Sequence, residues 1–232
     1  MTITKITSPR RRNPRINELL SLIGSPLEPV QVPVQLDGQA GLDQLFQCYL
    51  VVRDRIRRDG GAMRCGWLIA QSDIMYQAQH HAVWSPPNNP SELICITPKV
   101  IRQDEIMFVP DDRYPYRDRD IPNYRISEPI SSVVDDLILV ERIRDVFEAQ
   151  FSYVNDRDQD VPDHYSEHYR LIKNMRQEWI SFISLGGRLT SPCFCGKQKI
   201  YRECHGFDMK GKAEALLSDY ELSLDWMPEI ML

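Results

Sequence analysis

Four side chains that bind metal ions strongly lie within thirteen residues near the C-terminal end of the sequence. Spaced as Cys-x-Cys-x8-Cys-His, they are Cys193, Cys195, Cys204 and His205. Three thiolates and an imidazole at such short intervals are the ligand set of a tetrahedral structural zinc site. Gly196 permits the tight turn that this geometry needs, and Pro192 stiffens the approach to it. The sequence therefore predicts a zinc knuckle, residues 191–206, that binds Zn2+.

A disulfide interpretation of the same cysteines is less consistent with the sequence. It leaves one clustered cysteine without a partner, and it requires an oxidising compartment. The sequence shows no signal-peptide pattern, so we expect a cytoplasmic protein with reduced thiols. Lys197, Lys199 and Arg202 flank the ligands and partly offset the charge of three thiolates on a divalent ion. Zinc is therefore the preferred interpretation.

Length and composition limit the possible functions of the chain. Its 232 residues suffice for one domain with a small appendage, and 42% of them are apolar. No apolar run approaches the length of a membrane span. The net charge of -5 argues against a general nucleic-acid binder, although Arg10–Arg12 form a local basic patch. We expect a protein partner or a protein substrate, and leave the oligomeric state open.

The distribution of apolar and turn residues predicts an α+β fold with four parts. These are an N-terminal arm and linker (1–40), a core (41–130), a helical region (131–190) and the zinc-binding tail (191–232). In the core, a helix over about 43–58 ends at Gly60–Gly61, and strands follow at Cys65–Ile69, Asp73–Trp84 and Leu93–Thr97. Residues 109–129 predict a long surface loop.

The zinc knuckle resembles the SEC-C motif, the zinc-binding tail of the SecA translocation ATPase. That motif reads Cys-Pro-Cys-Gly-Ser-Gly-Lys-Lys-Tyr-x-x-Cys-His-Gly, and all four ligands match it. Supporting positions also agree, at Gly196, Lys199, Tyr201 (shifted by one place) and Gly206. The sequence departs from the motif at Lys197–Gln198, where the family has Ser-Gly. The resemblance implies zinc binding and a small contact module over about a tenth of the chain, and it implies no activity.

A second set of residues, in the middle of the chain, has an order typical of nucleophilic catalysis. Cys48 lies near the N-terminal end of a predicted helix, where peptide dipoles and free amides favour a thiolate. His81 lies on a following predicted strand, and Cys95 on the next one. The three positions predict a nucleophile, a general base and an orienting residue.

This order resembles the transglutaminase-like branch of the papain-like enzymes over about residues 40–100. It is closer still to uncharacterised bacterial proteins with Gly-Trp, Phe-His-Ala-Val-Trp and Asp-Val-Thr-Pro signatures, some of which also carry SEC-C tails. The matching residues here are Gly66–Trp67, His81–Trp84 and Thr97–Pro98. The resemblance implies a papain/transglutaminase-like core in which Cys48 attacks an amide or ester carbonyl and His81 transfers the proton.

The sequence departs from that pattern at the third position, where Cys95 replaces an Asp. A thiol supplies no fixed negative charge to orient the imidazole. Asn88, Asn89 or Glu92 is an alternative orienting residue. For an oxyanion site the candidates are the backbone amide of Cys48 and the side chain of Gln44 or Gln47.

Two functions therefore stay open. The first is a thiol hydrolase or acyltransferase that uses Cys48 and His81. The second is a non-catalytic protein-interaction module with a degenerate active site, which docks partners through the zinc knuckle. A structural cysteine explains Cys48 as well, because its neighbours are apolar. A Cys48 sulfur within hydrogen-bonding distance of His81 in an open cleft would favour the enzyme.

Overall fold

The computed structural model describes residues 6–25, 27–36, 47–128, 131–151, 153–154, 158–159, 161–225 and 227. Its helices are α1 (Pro14–Ile23), α2 (Cys48–Asp59), α3 (Ser132–Glu148), α4 (Ser166–Ser184) and α5 (Met209–Ser218). Its strands are β1 (Val30–Pro33), β2 (Ala62–Gln71), β3 (Met75–Ser85), β4 (Glu105–Pro110), β5 (Tyr124–Ser127), β6 (Tyr153–Val154) and β7 (Asp158–Gln159). The predicted α+β class is confirmed. None of the described helices is both long and apolar enough to cross a bilayer.

Five strands form one sheet in the order β1-β4-β2-β3-β5, and β6 pairs separately with β7. The longest pairing joins β2 to β3 in antiparallel register, from Ala62 opposite Ser85 to Gln71 opposite Tyr76. On its other side β2 pairs antiparallel with β4, which in turn pairs with β1. Pro33, which has no amide hydrogen to donate, lies on β1 at the edge of the sheet.

The chain divides into two compact units, and the described parts of the first are residues 6–25, 27–36, 47–72 and 76–117. Apolar side chains fill both sides of β3 in this unit. On one side Ala82 and Trp84 pack with the buried residues of α2. On the other side Val83 packs with Cys95 and Phe108. Neighbouring residues of a strand point to opposite faces, so this arrangement fixes which side chains of β3 face α2.

The end of α2 follows the prediction made from Gly60–Gly61. Both glycines have φ values in the left-handed region, 73° and 93°, which side chains with a Cβ rarely adopt. A Cβ on Gly61 would also collide with the backbone oxygen of Ser85. The indole of Trp84 donates a 3.0 Å hydrogen bond to the carbonyl of Gly60. The predicted start of the helix, near Asp43, lies outside the described residues.

Two predictions for this region differ from the structure. Leu93–Thr97 is not a regular strand: Ile94 and Cys95 make isolated bridges, to Trp84 and Val34 respectively. The stretch predicted as a loop, 109–129, contains the end of β4 and the whole of β5. β4 is a short, continuous apolar run that is buried on both faces. Such a run lacks the alternation by which a strand is recognised in a sequence.

The second unit comprises residues 73–75 and the described part of 118–227. Helices α3, α4 and α5 enclose its apolar core, in which Trp179 and Tyr201 are among the largest fully buried side chains. The indole of Trp179 donates to the hydroxyl of Tyr201 over 2.7 Å. That hydroxyl donates to the carboxylate of Asp136, also over 2.7 Å. This chain of hydrogen bonds joins α3 and α4 to the turn that contains Tyr201.

A buried ion pair joins β5 to α3 in the same unit. The guanidinium of Arg125 donates to Asp145 at 2.5 Å, and both side chains are about 5% exposed. Arg144 and the amide of Asn123 also donate to the Asp145 carboxylate. Burial alone would raise the pKa of Asp145, but Arg125 and Arg144 outweigh it and hold that pKa below its usual value.

Replacement of Asp145 by Ala should lower the free energy of unfolding by about 3–5 kcal/mol, because buried Arg125 loses its nearest counter-ion and keeps only the more distant Glu141, at 3.7 Å. The folded pKa is depressed, so the contribution of the wild-type carboxylate is complete above its unfolded pKa of about 3.9. This contribution to stability is lost as the pH falls through the pKa of Asp145 in the folded state. Urea unfolding at neutral and at acidic pH measures both effects.

Asp54→Ala is the matched control, because Asp54 pairs with Arg57 on an exposed helix face. It should leave the unfolding midpoint almost unchanged. Equal losses for the two variants would contradict a stabilising role of the buried pair.

Candidate metal centre and the buried thiols

The four predicted ligands come together in one cluster. Their ligand atoms all lie within 4.8 Å of one another. The Cys195 sulfur is 3.6 Å from the sulfurs of both Cys193 and Cys204. The Nδ1 atom of His205 is 3.0 Å from the Cys193 sulfur and 3.7 Å from the Cys204 sulfur. A tetrahedral ion with metal–sulfur bonds of about 2.3 Å separates its sulfurs by about 3.8 Å. The cluster can therefore hold one tetrahedral metal ion.

Short-range backbone contacts hold the ligands in place. The amide of Cys193 donates to the carbonyl of Lys199 over 2.9 Å, which brings the two halves of the zinc knuckle together. Gly196 makes the turn between them with a φ of 74°, as the sequence predicts. Lys212 on α5 donates to the carbonyls of Cys204 and His205, at 3.2 and 3.4 Å. Residues close in sequence thus build most of the cluster, and α5 fixes its last two ligands.

The protonation of the cluster suits metal binding. The backbone amide of Lys197 lowers the pKa of the Cys195 thiol, whereas the Cys195 thiol raises the pKa of Cys204. Binding of a metal ion requires all three thiols to lose their protons, so metal binding here releases protons. Burial lowers the pKa of His205, so its imidazole is neutral at pH 7, as a ligand must be.

Aromatic rings pack against the ligand histidine. The ring of Phe194 is 4.5 Å from the His205 ring between centroids, and that of Trp179 is 5.6 Å away. The spacing of the ligands does not predict these neighbours. Trp179 does lie in the predicted helical region 131–190, on α4, but nothing in the sequence indicates that it faces the metal cluster.

Cys48 is buried at the N-terminal end of α2. It is 4% exposed and packs with Ala82, Trp84 and Ile96. Burial raises the pKa of its thiol to about 12, and the opposing effects of the Ala82 backbone and of Lys99 are smaller. Cys48 is therefore a neutral thiol at pH 7. The helix N-terminus is expected to lower the pKa of this thiol, but burial raises that pKa by more.

The structure brings His81 together with Cys95. The Nε2 atom of His81 is 3.4 Å from the Cys95 sulfur and 3.4 Å from the Lys99 ammonium. Burial and the charge of Lys99 lower the pKa of His81 well below its usual value. Within the described part of the chain, no hydrogen bond joins Cys48 to His81. Because Ala82 packs with Cys48, the strand alternation directs His81 to the opposite face of β3.

The neighbouring His80, which is not among the predicted site residues, faces α2 instead. Its Nδ1 atom is hydrogen-bonded to the hydroxyl of Tyr49 on that helix. The Trp67 ring lies edge-on to it at 5.1 Å, and the Trp67 indole donates to the buried carboxylate of Asp111. Burial lowers the pKa of His80 to about 4. One position along β3 thus decides which histidine approaches the helix.

The remaining candidates lie apart from this histidine pair or outside the described chain. Asn88, Asn89 and Glu92 are exposed, and Asn89 donates to Glu92 within the turn after β3. The side-chain oxygen of Gln47 is buried and accepts no hydrogen bond from a described group. Gln44 lies outside the described residues.

Comparisons of the chain with models of protein families, with curated proteins and with solved structures found no match. The resemblances to the SEC-C motif and to the papain-like enzymes therefore stay predictions from residue patterns. The established features are the α+β fold and a Cys3His cluster that can hold a metal ion.

Brief treatment of the metal-free native protein with iodoacetamide at about pH 7.5 should alkylate Cys195 and leave Cys48 unmodified. Cys195 is exposed and its pKa is lowered, whereas Cys48 is buried and its pKa is about 12. Mass spectrometry of tryptic peptides measures both. Buried Cys65, whose pKa is also raised, is the internal control. Labelling of Cys48 as fast as Cys195, with Cys65 unlabelled, would support the nucleophile hypothesis instead.

Proposed function

We propose that the chain is a zinc-binding protein whose C-terminal segment is a non-catalytic contact module for a protein partner. The observation that carries this proposal is the convergence of Cys193, Cys195, Cys204 and His205 within 4.8 Å. Three thiolates and one imidazole in tetrahedral spacing favour Zn2+ over the harder divalent ions. Four protein ligands leave no open position for water or a substrate, which is typical of a structural rather than a catalytic zinc site.

The role of the zinc is to fix the fold of a segment with little regular secondary structure. Between Leu185 and Met209 the described chain has a single short 3₁₀ turn, Tyr201–Glu203. The free energy of binding a structural zinc is in part folding free energy. A segment ordered in this way presents a fixed surface, and on it Leu185 and Phe207 are 88% and 66% exposed. Exposed apolar side chains on a small, rigid module are typical of a protein contact site.

The geometry around Cys48 supports the non-catalytic alternative over the hydrolase or acyltransferase. A thiol nucleophile must ionise near neutral pH and must reach a base. Burial raises the pKa of Cys48 to about 12, and His81 contacts Cys95 and Lys99. A general base works best with a pKa near the operating pH, whereas that of His81 is well below it. We therefore interpret the Cys48–His81–Cys95 set as a degenerate or purely structural arrangement.

The purified protein should contain about one zinc ion per chain, and Cys204→Ser should lose it, because three remaining ligands bind the ion much more weakly. Zinc retention should also fall as the pH falls, since protons compete for the thiolates and the imidazole. Metal analysis after gel filtration in a weak chelator measures both effects. Cys65→Ser, which changes a cysteine outside the cluster, is the matched control.

Equal zinc content in Cys204→Ser and the wild type would contradict the assignment of the ligands. Acylation of Cys48 by an activated ester, abolished in a His81→Ala variant, would contradict the non-catalytic proposal and restore the enzyme hypothesis.

A further inference from the structure

A groove lies beside the metal cluster, among α3, α4, α5 and the zinc knuckle. Its volume is about 330 Å3. The apolar part of its lining consists of Ile143, Met175, Trp179, Met209, Ala213 and Leu216. Trp179 is buried and forms part of the wall, and Met175 is only partly covered. Methionines adapt to different apolar shapes, so this lining suits an inserted side chain.

Two lysines add positive charge to the same groove. Lys197 of the zinc knuckle is exposed, and Lys212 of α5 donates to two ligand carbonyls, which fixes its position. The two carbonyls are neutral, so neither of them is a counter-ion for the Lys212 ammonium. The groove therefore combines an apolar wall with two cations, of which Lys212 is held in place by hydrogen bonds.

The chain segment that contains the zinc knuckle is also rich in basic residues. Between residues 185 and 212 the chain has six Lys or Arg residues and two Asp or Glu residues, whereas the whole chain has a net charge of -5. A zinc ion with three thiolates has a net charge of -1, so the segment stays positive when zinc is bound. A local field of this sign attracts acidic groups and repels basic ones.

From the apolar lining and the two lysines, we infer that the groove binds a protein segment in which a large apolar side chain is adjacent to Asp or Glu. This inference rests on the proposed function and names the chemistry of the partner. The apolar side chain enters the groove against Trp179 and Met175, as in helix-in-groove recognition. The neighbouring carboxylate pairs with Lys197 and Lys212. A basic or purely polar segment would leave either the lysines or the apolar wall without a complementary group.

The test uses the zinc-loaded full chain and two matched peptide-display libraries. In both, Leu, Phe or Met alternates with polar residues, which are Asp and Glu in the acid library and Asn and Gln in the amide library. We expect the protein to retain the acid library at least tenfold better, and this preference should weaken from about 50 to 200 mM salt as the charges are screened. Equal retention of the two libraries would overturn the inference.

Two pairs of variants locate the binding site. Lys197→Glu should weaken binding of a selected acid peptide by tenfold or more, whereas Lys199→Glu, an equal charge change at an exposed residue outside the groove, should have little effect. Met175→Glu should also weaken binding, whereas Asn174→Glu, on an exposed position of the same helix, should not. Fluorescence polarisation with a selected, labelled peptide measures all four affinities.

Other occupants give other outcomes. Equal losses for Lys197→Glu and Lys199→Glu would indicate diffuse attraction of any polyanion, including nucleic acid, and would overturn the inference. A second copy of the chain is another possible occupant. If sedimentation showed a dimer that Met175→Glu dissociates, that copy would occupy the groove and the inference would be overturned. Zinc content is measured for every variant. If the chain binds zinc but shows no preference for the acid library, only the inference about the groove is refuted. If the chain prefers the acid library but contains no zinc, only the proposed function is refuted.

Discussion

The arrangement of the second unit depends on the hydrogen bonds of the Tyr201 hydroxyl. It accepts from the Trp179 indole on α4 and donates to the Asp136 carboxylate on α3, each over 2.7 Å. The residue is fully buried, and burial raises the pKa of its phenol, so the hydroxyl stays protonated and able to donate. Buried polar groups must be paired, because a lost partner leaves an unsatisfied group at a cost of about 1–3 kcal/mol. The three side chains therefore hold α3, α4 and the 3₁₀ turn in one arrangement.

The metal ligands and the groove both follow from this arrangement. Cys204 and His205 come directly after the 3₁₀ turn that Tyr201 begins, so the position of the tyrosine sets theirs. Gly206 completes the turn, since a Cβ there would collide with the Tyr201 ring. Trp179 contacts the His205 ring and also lines the groove. Zinc binding and the shape of the groove are thus coupled through shared side chains, and loss of the ion is expected to change both.

The parts of the structure that the sequence predicts are those determined by neighbours in the chain. The metal ligands lie within thirteen residues, and the turn at Gly196 needs only local conformational freedom. The end of α2 at Gly60–Gly61 likewise depends on φ values that few other residues adopt. Such features follow from spacing and residue type alone, with no knowledge of which elements pack together.

The parts that the sequence does not predict depend on distant contacts. β4 is recognised as a strand only through its pairing with β1 and β2, because its apolar run has no alternation. The choice between His80 and His81 depends on register, since a shift of one residue exchanges the two faces of a strand. The contact of His205 with Trp179 depends on the packing of α4 against the zinc knuckle.

Strand register also explains why the predicted Cys48–His81–Cys95 set contains a buried contact between His81 and Cys95 in place of a catalytic contact with Cys48. His81 points to the side of β3 where Val83, Cys95 and Phe108 pack, and there Cys95 behaves as a small apolar side chain. An Asp at that position would be a buried charge, and with an imidazole as partner it would favour the protonated ring. Cys95 brings no such charge, and the Lys99 ammonium lies beside the ring, so both neighbours favour a neutral His81. A neutral, low-pKa histidine with a buried thiol is stable as part of a core but is poorly suited to take a proton from Cys48. The residue at the third position thus helps to set the charge state of His81, and a cysteine there weakens the case for catalysis.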